Sequence, residues 1–179
     1  MAARGAPRPP WFDSARGIPP NRVMGKAFPP KGRLHHEIPA WVPVASDFHV
    51  RIRTAQTSQG ALTTPDCAFT LMKSAALYHA TQRWWCHLFL LMPDHLHALL
   101  AFPPGGSMSR IIGDWKHYHT VHSRISWQEG YFDHRIRNSK EFALKAGYIR
   151  QNPVAKGYIE RKEDWPWVCS PMEDGIFEI

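Results

Sequence analysis

Long hydrophobic runs are missing from this 179-residue chain, and the longest, Leu88 to Met92, falls far short of the ~20 apolar residues that cross a bilayer, so no membrane span is expected. Cysteine is scarce as well. Cys67, Cys86 and Cys169 are odd in number and far apart, with no Cys-x-x-Cys pair for zinc and no framework for disulfides, which suits reduced thiols in a cytoplasmic protein. Acidic residues are nearly absent from the start: positions 1–36 hold seven Lys and Arg against Asp13 alone, and seven prolines crowd the first 30 positions. Such a stretch lacks the apolar spacing to fold alone, so residues 1–40 are expected to form a basic, proline-rich arm. Its proline density argues against the amphipathic helix of a transit peptide.

What is present is globular. With 44% hydrophobic residues and 12% aromatics, the remaining positions 41–179 suffice for one domain with its own core. The net charge of +7 is unevenly placed: residues 104–162 carry eleven basic and five acidic residues, whereas residues 163–179 carry five acidic and none basic. A basic half of this kind fits a polyanionic partner or a merely solvated face.

Periodicity gives alternating strands and helices. Phe48 to Thr54 alternates at period two and reads as a strand; Asp66 reads as the N-cap of a helix to about Gln82. Trp84 to Met92 is apolar throughout, like a central strand, Pro93-Asp94 is a turn, and His95 to Phe102 is the next strand. A helix follows over Ser107 to Ser123, then a short strand near Gly130 to Asp133. Asn138 with Glu141 opens a last helix that Pro153 should stop at about Asn152. Trp84, Trp85 and Trp115 are the expected core tryptophans. The order predicts an α+β, ferredoxin-like sandwich, an antiparallel sheet with helices on one face.

Two constellations carry chemistry. His95 and His97 flank Leu96 in a strand, so both imidazoles leave the same face and form a candidate pair of metal ligands. Strand alternation points Asp94 away from them. On the last helix, Tyr148 and Asn152 lie one turn apart on one face. A phenol is a poor nucleophile while protonated, yet its phenolate can attack phosphorus and become a covalent carrier beside a Lewis-acidic metal. The Asn152 amide oxygen could add a third ligand to the two imidazoles; equally, Asn152 could be a simple helix end before proline. His117-Tyr118-His119 is also His-x-His, but on a helix these side chains diverge by about 200° and cannot share an ion.

Taken together, Leu91-Met92-Pro93-Asp94-His95-Leu96-His97, Ser109-Arg110-Ile111-Ile112 with Lys116, Trp127 through His134, Tyr148-Ile149-Arg150-Gln151-Asn152-Pro153-Val154-Ala155-Lys156-Gly157 and Asp164-Trp165-Pro166-Trp167 resemble the REP-associated tyrosine transposases. These are single-tyrosine nucleases with a His-hydrophobe-His motif. The resemblance implies a ferredoxin-like fold and a divalent cation, Mg²⁺ or Mn²⁺, held by His95 and His97 with Asn152 as candidate third ligand. It implies Tyr148 as the nucleophile that cuts single-stranded DNA beside a hairpin through a 5′-phosphotyrosine. It also implies a cytoplasmic, nucleoid-associated protein, monomeric or homodimeric. Asp94 stands where the family often has Asn, and Gly147 where a larger residue is common. Candidate DNA contacts are Arg110, Lys116, His134, Arg135, Arg137 and Lys145, with Trp127 and Tyr131 as stacking surfaces. The alternatives are a non-catalytic nucleic-acid-binding protein of the same fold, and a zinc hydrolase needing a third ligand near the pair.

Overall fold

A computed structural model describes residues 46–58 and 60–170. The basic arm expected over residues 1–40 lies outside them. Five strands form one sheet: β1 (Asp47–Arg53), β2 (Trp85–Met92), β3 (His95–Ala101), β4 (Phe132–Arg135) and β5 (Val168–Cys169), in the order β4-β1-β3-β2-β5 with every neighbouring pair antiparallel. Three helices join them: α1 (Pro65–Ala80), α2 (Met108–His122) and α3 (Ser139–Ala155). From β1 to β4 the elements run β-α-β-β-α-β, the order of a ferredoxin-like sandwich.

Local chemistry explains the helix starts. At α1 the N-cap position is Thr64, not Asp66. Pro65 occupies the first turn with its φ already helical, and Asp66 follows inside that turn, where the helix dipole favours an anion. Ser107 caps α2 by accepting the Arg110 N–H, and Asn138 caps α3 by accepting the Glu141 N–H at 2.9 Å, as the sequence suggested.

The end of α3 differs from expectation. The helix passes through Pro153 and stops only after Ala155. Proline removes one amide N–H from the ladder, but the Asn152 side chain compensates locally: its amide nitrogen donates to Tyr148 O at 2.9 Å and reaches Ile149 O at 3.5 Å, the carbonyl that Pro153 orphans.

The helices also do not share one face. On one side of the sheet, Phe48, Val50, Ile52, Phe89, Leu91, Leu96, Ala98 and Leu100 pack against Leu71 and Ala75 of α1 and Ile112 and Trp115 of α2. On the other side, Leu88, Leu90, Met92 and Leu99 pack against Phe142, Ala146 and Ile149 of α3. The cause is legible in β2, which is apolar on both faces and needs a layer on each. Every residue of the central strand β3 is buried. Trp84 and Trp115 are core residues, whereas Trp85 is only half-buried.

One polar network sits inside the first core. His119 is fully buried, its Nε2 lies 2.7 Å from Ser74 Oγ and its Nδ1 3.0 Å from Ser123 Oγ, while Trp115 Nε1 donates to Ser74 Oγ at 3.0 Å. Burial, aided by His122, lowers the His119 pKa from 6.5 to about 4. The unfolded chain therefore binds a proton that the folded chain refuses, and stability falls as pH drops from 6.5 towards 4. By pH 5 this residue alone should remove on the order of 2 kcal/mol. Urea midpoints measured from pH 7 to pH 5 should decline, and less steeply in His119→Gln; identical slopes would contradict the assignment.

Candidate functional site

The face of the sheet beneath α3 gathers the polar residues. On β1, Phe48, Val50 and Ile52 enter the opposite core, so His49, Arg51 and Arg53 project towards α3. On β3, His95 and His97 project the same way as Leu99, with their ring centroids 4.9 Å apart. The two imidazoles do leave one face together.

Each of the pair is held through its Nδ1. Asp94 Oδ1 lies 2.6 Å from His95 Nδ1, and His49 Nε2 lies 2.9 Å from His97 Nδ1. Asp94 therefore does not point away. It sits in the β2–β3 turn, where strand alternation does not govern direction, and it is also 3.7 Å from Arg53. A carboxylate can only accept, so His95 carries its proton on Nδ1 and offers Nε2 as a lone pair.

Tyr148 of α3 meets this pair. Its ring centroid is 6.0 Å from that of His97 and 6.3 Å from that of His49, both edge-to-face. Asn152 lies one turn further along the same helix, buried, with its amide nitrogen spent on helix carbonyls, which leaves the amide oxygen as its donor atom for a cation. Among the described residues, no group of three or more His, Cys, Asp or Glu could hold a metal ion. The candidate donor set is the two imidazoles together with the Asn152 amide oxygen, one helix turn beyond Tyr148. It fits a hard divalent cation only weakly until oxygen atoms of a substrate complete the shell. Among the described residues, no third His, Cys or carboxylate joins the pair in a group of the kind a zinc hydrolase would need.

Burial governs the electrostatics. It lowers the His49 pKa from 6.5 to about 3, helped by Lys145, Arg51 and His134. It lowers His97 well below 6.5, helped by His49 and His95, and it lowers His95 despite the opposing pull of Asp94. Asp94, although burial pushes it up, ends below the usual carboxylate range through its hydrogen bond to His95 and the nearby His95 and Arg53 charges. At neutral pH the imidazoles are thus uncharged, as metal ligands must be.

The candidate DNA contacts divide. Lys116 is not free for DNA, because its Nζ donates to Gln128 O at 2.9 Å and Gly130 O at 2.8 Å. Trp127 packs on Trp115 at 5.8 Å and donates its Nε1 to Lys116 O, and Tyr131 packs half-buried against the same core, so neither offers an open stacking face. Arg110 is exposed on α2, which covers the opposite face, and Arg135 stands across from Phe48 and also projects away from Tyr148. His134, opposite His49, shares the tyrosine face, but Glu141 Oε1 holds its Nε2 at 2.6 Å, tying β4 to the first turn of α3. Lys145, one turn before Tyr148, is half-exposed, and Arg137 is exposed beyond β4.

Four residues of this face escaped the sequence reading: His49, Arg51, Arg53 and Phe132. The period-two spacing of the first three in a strand was the signal that they share a side. Phe132 stands across from Arg51, 46% exposed, with the guanidinium 5.3 Å above its ring centroid.

A strand pair of imidazoles and a helix tyrosine thus share one face of the antiparallel sheet. The chain is similar to the REP-associated tyrosine transposase of Escherichia coli (strain K12), 30% identical over 82 residues, covering 44% of this chain and 50% of that one. It is similar also to a relative of the same family name from Haemophilus influenzae, 26% identical over 94 residues, covering 43% and 53%. The chain thus spans about half the length of the curated relatives it matches. A solved REP-associated tyrosine transposase bound to a REP hairpin shares the fold with a TM-score of 0.62 at 22% identity, covering 74% of this chain and 81% of that one. No family model matches the chain.

The reassignment of Lys116 is testable. Lys116→Met should lower the unfolding free energy by about 0.5–1.5 kcal/mol, because two backbone carbonyls lose their donor to nothing better than water, whereas Lys145→Met should leave it nearly unchanged. Equal urea midpoints for wild type and Lys116→Met would refute the clamp.

Proposed function

We propose that this chain is a metal-dependent tyrosine transposase that nicks and rejoins single-stranded DNA beside a hairpin. The observation that carries the reading is the Tyr148 ring 6.0 Å from His97, itself 4.9 Å from His95: nucleophile and candidate ligands occupy one side of one sheet. His95, His97 and the Asn152 oxygen would hold Mg²⁺ or Mn²⁺, and such an ion would polarise the scissile phosphate as a Lewis acid.

The chain's own groups do the rest. The Tyr148 oxygen bonds to phosphorus as the bond from phosphorus to the 3′ oxygen breaks, leaving a free 3′-hydroxyl and a 5′-phosphotyrosine. A second 3′-hydroxyl attacks the same phosphorus, releases Tyr148 and restores the strand. Arg51, Arg53 and Lys145 supply positive charge to the phosphates on that side, and the strength of binding should fall with added salt. Phe132 offers its exposed ring to an unpaired base, with Arg51 beside it. The hairpin in the solved relative supports DNA of that shape as the partner.

Labelled single-stranded hairpin DNA incubated with Mn²⁺ should give a covalent adduct with wild type and none with Tyr148→Phe, and a chelator should abolish it. Binding without any adduct in the wild type would favour a non-catalytic binding protein. Phe132→Ala should weaken single-strand affinity roughly 5- to 100-fold, in keeping with the loss of one stacked base, as read by fluorescence anisotropy. Undiminished affinity would remove Phe132 from the interface.

A further inference from the structure

His49 touches both halves of the site yet holds no place in the reaction above. It is 4% exposed, its Nε2 lies 2.9 Å from His97 Nδ1, and the two rings lie 5.1 Å apart at 26°. Its other nitrogen, Nδ1, is buried without a hydrogen-bond partner.

A neutral imidazole carries one N–H, so this pair has two arrangements. If His49 donates from Nε2, the proton of His97 sits on its own Nε2 and closes that nitrogen to a cation. If His97 donates from Nδ1, its Nε2 keeps a lone pair. We propose that His49 is the positioning residue of the second ligand: it accepts the His97 Nδ1 proton and so presents His97 Nε2 as a lone pair, as Asp94 does for His95.

Two observations support the assignment. Both strand imidazoles are gripped at Nδ1, at 2.6 Å and 2.9 Å, so the same nitrogen is left over on each. In either arrangement the His49 Nδ1 is buried without a partner, a cost to folding that an apolar residue would not carry. An apolar side chain between Phe132 and Tyr148, whose rings lie 5.8 Å and 6.3 Å from His49, would fill that space without the penalty. A histidine there makes sense through His97.

The inference rests on the proposed function only for the cation. Long-range ¹H–¹⁵N NMR of the metal-free full chain should show His97 protonated at Nδ1 and bare at Nε2, and His49→Leu should move the proton towards Nε2. Mn²⁺ affinity by calorimetry should drop about 10- to 100-fold in His49→Leu, and His49→Gln, whose amide oxygen can accept the same proton, should recover most of it. A wild-type His97 protonated at Nε2, or an unchanged Mn²⁺ affinity in folded His49→Leu, would overturn the assignment. Should the leucine variant not fold, the wild-type tautomer and the glutamine variant decide it. A wild type that binds no Mn²⁺, with or without single-stranded DNA, would instead contradict the metal reading, and the tautomer would still judge His49.

Discussion

The burial of β2 and β3 on both faces is the constraint from which the site follows. Leu88, Leu90, Met92 and Leu99 need an apolar cover on the side that α1 and α2 leave open, and Phe142, Ala146 and Ile149 of α3 supply it. Packing those three residues fixes the rotation of the helix, and that rotation turns Tyr148 towards His97 and His49. The proposed nucleophile is thus placed by the hydrophobic matching of its neighbours on the helix.

Polar chemistry then has to be fitted into a nearly dry layer. Burial keeps His49, His95 and His97 neutral, which suits cation ligands, and confines charge to the rim, where Arg51, Arg53 and Lys145 outnumber Asp94. The contacts of the site are mostly orienting ones. Asp94 turns His95, His49 bears on His97, and Glu141 fastens His134 while also accepting the Arg137 N–H at the start of α3. Contacts of this kind restrict each imidazole to one orientation, the preorganisation that the proposed function calls for.

Much of this was legible in the sequence because it is local. The alternation in His95-Leu96-His97, the i to i+4 spacing of Tyr148 and Asn152, and the caps at Ser107 and Asn138 depend on neighbours a few residues away, and the structure reproduces each. The misreadings came from side-chain partners that residue patterns do not show. Pro153 looked like a stop until the Asn152 side chain took over for the missing amide. Lys116 and Trp127 looked like surface groups until the 124–131 segment folded back onto α2 and used both internally. His49 acquired meaning only from the β1–β3 register, which sets it beside His97 across 48 residues of chain.

The proposed function requires Tyr148 and the strand imidazoles to surround one ion. Titration of the full chain with Mn²⁺, followed by paramagnetic broadening in NMR spectra, reports that meeting without requiring turnover. The ring signals of His95, His97 and Tyr148 should broaden together at low Mn²⁺, while those of the exposed Tyr118 on α2 and Tyr158 beyond α3 stay sharp. Broadening of the histidines with a sharp Tyr148, or broadening spread evenly over all the tyrosines, would contradict a shared site.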